Sequence, residues 1–365
     1  MMKSADLYRM NAVPSVSALY ADTLGEFLRA RGLHGNVRGA MRSPAETVRI
    51  EGDRYAGMLI DGARALGDEG LGLRFGLHAG GAGFGMLGIA VATAPTLREA
   101  IRQHNELESI TSTLGRATTR FCGKRVEISW HPARMPTPIV VEGILAGWVS
   151  FGRHILAERA DILQVSFMHR RRAPLHEYET VFECPLRFES ARYGVTIAAE
   201  LLDARPRFAD AALNESLNAW LGQCAASASA EGKPFTRGTT ALLAGRLPLA
   251  EANEDAAAAL LGVGRRTLQR ALRAEGSSFR ELLNAARAQR AIVGLLRQDV
   301  SMLELSAETG FDEQSSLCRA FRRWTGYAPL ALKRRLSDVF QPAPAPETRA
   351  LPARPSFPSS PARCL

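Results

Sequence analysis

The residues best suited to do chemistry lie in two matched runs near the C-terminal end of a 365-residue chain. Gly262-Val263-Gly264-Arg265-Arg266-Thr267 leads into Leu268-Gln269-Arg270-Ala271-Leu272-Arg273. Forty-nine residues on, counted leucine to leucine, Gly310-Phe311-Asp312-Glu313-Gln314-Ser315-Ser316 leads into Leu317-Cys318-Arg319-Ala320-Phe321-Arg322. Both copies read Leu-x-Arg-Ala-apolar-Arg, with a glycine six or seven residues before the leucine. On a helix, Leu268 and Leu272 lie one turn apart and face inward, as do Leu317 and Phe321. That leaves Arg265, Arg266, Gln269 and Arg270 in the first copy, and Gln314, Ser315, Ser316 and Arg319 in the second, toward solvent. Arginine, glutamine and serine are side-chain types that hydrogen-bond base edges in a major groove.

Local elements must hold these side chains in place. A short Ala/Leu-rich helix is expected before each run, at Glu254–Leu261 and Met302–Thr309, and a glycine stop follows each, Gly276 and Gly326. Two short helices that cross steeply need a glycine in the tight turn between them, so each copy reads as a helix-turn-helix. Between the copies, Phe279, Leu282, Leu283, Ala286, Ile292, Val293 and Leu296 recur at helical spacing and predict one continuous connecting helix over Phe279–Leu296. One turn of B-DNA is ~34 Å, so two heads held by one connector suit successive major grooves on one face of a duplex. A single helix-glycine-helix corner is common in all-α proteins; two with matched arginines and a basic connector are not.

The charge distribution points to the same segment. The chain has 46 Lys/Arg against 37 Asp/Glu, a formal net charge of +9, and only four of the basic residues are lysines. Residues 253–335 hold 14 basic and 9 acidic residues, net +5, whereas residues 1–252 hold 29 and 26, net +3. More than half of the surplus thus sits in less than a quarter of the chain. That favours a local anion-binding surface over a general basic coating. A composition 46% hydrophobic and 23% charged excludes wholesale disorder. The longest apolar stretch read from the sequence, Ile139–Phe151, is short and interrupted by Glu142, so no transmembrane helix is expected. The N-terminus lacks the apolar run of a signal peptide, and five dispersed cysteines without C-x-x-C spacing argue against a disulfide framework or zinc cluster. A cytoplasmic location follows as an expectation.

Upstream the periodicity is mixed. Helices are expected over Ser15–Arg31, Arg54–Leu66, Thr96–Leu114 (with Thr96 as cap), Ile139–Ala160 and Pro174–Phe182. Ala117–Phe121 and Arg125–Trp130 flank Cys122-Gly123-Lys124 as a β-hairpin, and short strands are expected at Leu163–Met168, Leu186–Glu189 and Gly194–Ala198. The chain therefore divides into an α+β domain over 10–205, a helix and linker over 206–235, an all-α domain over 236–336 with two helix-turn-helix motifs joined by a connecting helix, and a Pro-rich tail over 340–365 read as disordered.

Three rival readings need weighing. Gly83-Phe84-Gly85-Met86-Leu87-Gly88 fits G-x-G-x-x-G, the mark of a dinucleotide-binding enzyme, but that fingerprint needs a strand before it and a long helix after it. Ile89–Ala94, stopped by Pro95, is too short for that helix, so a glycine-rich turn is the expected alternative. A non-specific basic nucleic-acid-binding module is the second rival, and it would bind in a salt-dependent, sequence-independent way. The seven histidines show neither H-E-x-x-H nor a close pair, so no metal or other cofactor is expected. The third rival concerns Trp220 and the apolar face of Arg207–Leu221, which serve equally as a dimer helix or as packing onto the core.

Residues 254–335 resemble the DNA-binding domain of AraC/XylS-type bacterial transcription regulators. Arg266-Thr267-Leu268-Gln269-Arg270 is similar to the family's first recognition helix. Gly310-Phe311, Ser315/Ser316, Phe321-Arg322, Gly326 and Pro329 are similar to its second-motif signature. Ser306, Leu317 and Leu332-Lys333 depart from the usual residues there. Leu71-Gly72-Leu73-Arg74-Phe75-Gly76, Gly85-Met86-Leu87-Gly88 and Pro95-Thr96-Leu97-Arg98-Glu99-Ala100 resemble the arabinose-binding-like sensor domain of one branch, which includes regulators of ornithine and arginine use. The resemblance implies a sequence-specific, effector-responsive regulator, more often an activator, with no enzymatic activity. Its implied partners are double-stranded operator or promoter DNA, RNA polymerase, a small-molecule effector and a second copy in a homodimer, with no membrane partner.

Overall fold

The computed structural model describes residues 13–33, 49–156, 162–228, 233–296, 300–337 and 339. The expected tail over 340–365 and the linker residues 229–232 lie outside these. The N-terminal part runs β1 (Ser15–Ser17), α1 (Ala18–Arg29), β2 (Arg49–Glu51), α2 (Gly52–Leu66), α3 (Leu71–Thr93), α4 (Leu97–Thr111), β3 (Gly115–Cys122), β4 (Arg125–Pro132), α5 (Pro138–Ile155), β5 (Ile162–Ser166), α6 (Leu175–Phe182), β6 (Leu186–Arg187) and β7 (Tyr193–Ala198). Then come α7 (Ala211–Ala228), α8 (Pro234–Ala241), α9 (Glu254–Leu260), α10 (Arg265–Ala274), α11 (Phe279–Leu296), α12 (Met302–Thr309), α13 (Gln314–Thr325) and α14 (Pro329–Leu336).

The hairpin forms where the sequence places it, as β3 and β4 joined at Gly123 in the left-handed region (φ 60°). The full sheet has the order β3-β4-β7-β5-β6, antiparallel except for the β5–β6 edge. Val126, Ile128 and Trp130 of β4 pair with Ile197, Val195 and Tyr193 of β7, so one face is apolar and turned inward. On the opposite face Glu127 and Arg192 form an ion pair at 3.1 Å.

Thr96 caps α4 by accepting from the Glu99 amide at 3.3 Å, as its spacing predicts. Several elements differ from expectation. Ser15–Ser17 form β1, paired with the unexpected β2, where the spacing predicts a helix start, and α4 ends at Thr111 and not at Leu114. Helix α5 ends at Ile155 and not at Ala160, because Leu156 leaves the helix to form a β-bridge with Pro206. The larger difference is α3, a 23-residue apolar helix bent at Gly80 and Gly85, which have non-helical backbone.

The Gly83–Gly88 fingerprint lies within this helix, with the bend at Gly85 inside it. The first half of the helix, and not a strand, leads into these glycines, which removes the dinucleotide-binding reading. Two earlier glycines of the same helix serve packing. A β-carbon at Gly72 or Gly76 would come within 2.3 or 2.4 Å of the Ile139 or Gly143 carbonyl, so α3 and α5 lie backbone to backbone. Helix α3, rather than Ile139–Phe151, is therefore the longest apolar segment. Among the described residues no single helix is long and apolar enough to cross a membrane, although the two halves of α3, bent by 57°, would pass together on composition.

Two carboxyl groups are buried in this part. Glu142 accepts from the Tyr178 hydroxyl at 2.5 Å and lies 3.6 Å from Arg172; Glu108 accepts from the Ala117 amide at 2.7 Å. Burial raises the pKa of each to about 7 against these opposing contacts. Because the folded chain holds these protons more tightly than the unfolded chain, the stability they contribute is complete below pH ~4.5 and is lost as pH rises through about 7. Glu142→Gln removes one such group. Its urea midpoint is expected to match wild type at pH 5 and to exceed it at pH 8 by the equivalent of about 2–3 kcal/mol. Parallel pH profiles for the two proteins would refute the assignment.

Candidate nucleic-acid interface

The repeat folds as two helix-turn-helix units, α9–α10 and α12–α13. Their glycines occupy matching roles. Gly262 (φ 71°) and Gly310 (φ 73°) make the turns, and Gly276 (φ 75°) and Gly326 (φ 78°) follow the second helices, all in the left-handed region where a side chain is strained. Asn253 caps α9 by accepting from the Ala256 amide, and Ser301 with Glu304 forms a capping box on α12.

The inward positions are buried as the pattern requires. Leu268 and Leu272 join Leu243, Leu247, Ala257 and Phe279 in one core. Leu317 and Phe321 join Leu305, Ile292 and Leu332 in another. Leu317 is fully buried, so its departure from the family's usual aromatic still fills the site. Ser306, also buried, returns its hydroxyl to the Met302 carbonyl at 2.9 Å.

Helix α11 spans both units. Its 18 residues rise roughly 27 Å, with Phe279 and Leu282 in the first core and Ala291, Ile292 and Leu295 in the second. At its middle Arg287 donates through Nη2 to the Leu249 carbonyl just before the first unit at 3.3 Å and to the Gly310 carbonyl in the turn of the second at 2.9 Å. Its guanidinium also lies 5.0 Å from the Phe311 ring centre. At the same point a β-carbon on Gly310 would sit 2.3 Å from the Leu249 carbonyl oxygen. The sequence left open whether Arg287 contacts phosphate or supports folding. The geometry assigns it to the fold.

The outward residues fall into two groups. Arg266 and Arg270 on α10, and Gln314 and Arg319 on α13, are exposed. Arg319 donates to the Ser316 hydroxyl at 3.1 Å, and the Ser315 hydroxyl donates to Glu313 at 2.9 Å. Arg265 and Gln269 are engaged within their own unit. Arg265 pairs with Glu254 at 2.8 Å and Asp255 at 3.3 Å, and Gln269 donates to the same Glu254 oxygen. Glu254, eleven residues before Arg265 and on another helix, carries no sequence signal for this role.

The second unit packs onto the N-terminal part. Leu213, Leu217 and Leu221 of α7 share a core with Phe321 and Leu336, which answers the Trp220 helix question in favour of packing. Asp210 begins α7 by accepting from the Leu213 amide, and its other oxygen accepts from the Tyr327 hydroxyl at 2.5 Å and Arg335 at 2.9 Å. Burial would raise its pKa, but the Tyr327 hydroxyl, the α7 amides and Arg335 together hold it below the ordinary value. An aspartate before a helix signals a cap; nothing local signals that it reaches across 117 residues to Tyr327.

If Arg287 is structural, Arg287→Met should strand the Leu249 and Gly310 carbonyls and lower stability by about 1–3 kcal/mol in urea unfolding. The salt dependence of duplex binding should keep its slope. A phosphate contact would instead reduce that slope by about 1 with stability unchanged.

Comparisons with known proteins agree with this geometry. Residues 35–206 match the family model described as the arabinose-binding domain of AraC transcription regulator, N-terminal, and residues 257–335 match a helix-turn-helix domain model. The chain is 26% identical over 280 residues to the ornithine utilization regulator of Pseudomonas aeruginosa, covering 73% of this chain and 79% of that one. It is 29% identical over 287 residues to an uncharacterized HTH-type transcriptional regulator of Mycobacterium tuberculosis, covering 75% and 81%. The crystal structure of the transcriptional regulator CdpR from Pseudomonas aeruginosa aligns over 86% of this chain and 97% of its own, with 21% identity and a TM-score of 0.44. With an arabinose-binding-type N-terminal domain followed by a double helix-turn-helix, the chain belongs to the AraC-type transcription regulators, DNA-binding proteins and not enzymes.

Proposed function

We propose that α10 and α13 enter successive major grooves of an operator and read it with Arg266, Gln269 and Arg270 from the first unit and Gln314, Ser315, Ser316 and Arg319 from the second. The observation that carries this reading is the pair of equivalent helices with outward Arg and Gln side chains, held on one connector by Arg287. Arg265 stands at the first turn of α10. Glu254, holding both Arg265 and Gln269, pre-sets their directions before DNA arrives. Residues 10–205 act as the effector-sensing or dimerising unit, 206–235 as the connection and 236–336 as the reading unit. An effector that favours one arrangement of the two units shifts DNA affinity by its differential binding. Activation through RNA polymerase, a homodimeric state and a cytoplasmic location complete the proposal.

The test uses duplexes selected by the full-length protein from a random pool. Arg266→Ala and Gln269→Ala are each expected to cost ~1–3 kcal/mol on the preferred site and to relax base preference at one position. Equal weakening on every duplex would instead favour a non-specific basic module.

A further inference from the structure

We infer that the N-terminal part binds a neutral, mostly hydrocarbon small molecule, about the size of one aromatic ring, in a cavity between α4, α5 and the apolar face of the sheet. The inference rests on the effector-responsive reading above and gives that effector a chemical class. The cavity measures about 120 Å³ and is walled by Ile101 and His104 of α4, Trp148 and Phe151 of α5, and Ile128 and Val195 of the sheet. The space is partly open to solvent, which gives a ligand a way in, and an engineered apolar cavity of roughly 150 Å³ takes up benzene.

Among the described residues, the charged group at the space is already committed and the other polar ones are uncharged. Arg153 reaches the lining, but its guanidinium donates to the Val181 carbonyl at 3.1 Å and to the Phe182 carbonyl, at the end of α6. Asn105 donates its amide to Thr119 at 2.8 Å, and its buried Oδ1 has no hydrogen-bond partner among the described residues. His104 stands edge-on to Trp148 (5.3 Å between ring centres) and to Phe84 (6.1 Å). Its burial, opposed only by the Asn105 side chain, lowers its pKa to about 4, so it is neutral near pH 7. Among the described residues a carboxylate would meet no free counter-charge, and a sugar would find only Asn105 Oδ1 and the His104 ring for its several hydroxyls. The arabinose of the family model's description is therefore the wrong chemistry for this cavity.

The site also has a physical route to the reading unit. Gln103 of α4 donates to Asn214 of α7 at 2.9 Å, and Asn214 donates to the Ala90 carbonyl of α3 at 2.7 Å. The cap of α7, Asp210, holds Tyr327 and Arg335. A ligand that moves α4 thus pulls on the helix against which the second unit is seated.

Toluene, benzoate and L-arabinose are titrated calorimetrically into the full-length protein. Saturable binding of one toluene per chain is expected, with benzoate and L-arabinose at least tenfold weaker. Gly152→Leu should weaken toluene at least tenfold, since Gly152 lines the cavity and a β-carbon there meets nothing within 4 Å. Ala100→Leu fills the space from the opposite wall and replaces it should that variant not fold. Absence of saturable toluene binding, binding indifferent to both fillings, or displacement of toluene by L-arabinose would overturn the inference. DNA affinity is read in parallel. Toluene binding that leaves it unchanged supports the site and removes the effector-responsive reading. L-arabinose changing it without toluene binding keeps that reading and removes the site.

Discussion

A single guanidinium at the middle of α11 sets the spacing on which DNA reading depends. Arg287 reaches the Leu249 carbonyl just before the first helix-turn-helix unit and the Gly310 carbonyl in the turn of the second, and Gly310 packs against the Leu249 carbonyl with no room for a side chain. A helix roughly 27 Å long fixes how far apart the two units stand. It does not fix their rotation about its axis. The shared Arg287 contact does, because both carbonyls must face the same nitrogen. Two recognition helices on a rigid mount lose little further freedom on binding, which is the energetic advantage of such a mount.

The same economy of contacts joins the reading unit to the rest of the chain. The first unit has its own core, around Leu268 and Leu272. The second shares one with α7 and, through it, with the sheet domain. Asp210 reinforces this junction with bonds to Tyr327 and to the half-exposed Arg335. The two units are thus unequal. One is built around a core of its own, and the other is coupled to whatever the sheet domain binds.

Much of the fold was legible because period and punctuation are local. Connecting helix Phe279–Leu296 and helix Met302–Thr309 run between the residues the apolar spacing and glycine stops predict. The hairpin and the Thr96 cap appear where their spacing places them. Helix α3 was not legible. Five glycines from Gly80 to Gly88 mimic a phosphate loop, but Gly80 and Gly85 bend the helix, and the close backbone approach to α5 falls earlier, at Gly72 and Gly76. In the interface, Arg266, Arg270, Gln314 and Arg319 stand outward as read. The ties of Arg265 and Gln269 to Glu254 were invisible, since they join residues on different helices.

By itself, then, the amino-acid order determined the duplicated helix-turn-helix, the inward leucines, the outward arginines and the α+β character of the larger part. Each rests on spacing along one element, which a linear pattern carries in full. Only the tertiary structure decided what Arg287, Asp210 and Glu254 do, that α7 packs onto the core, and that an apolar cavity lies behind α4. Those are properties of groups brought together from distant parts of the chain. Their energy depends on burial and on partners that no local spacing specifies.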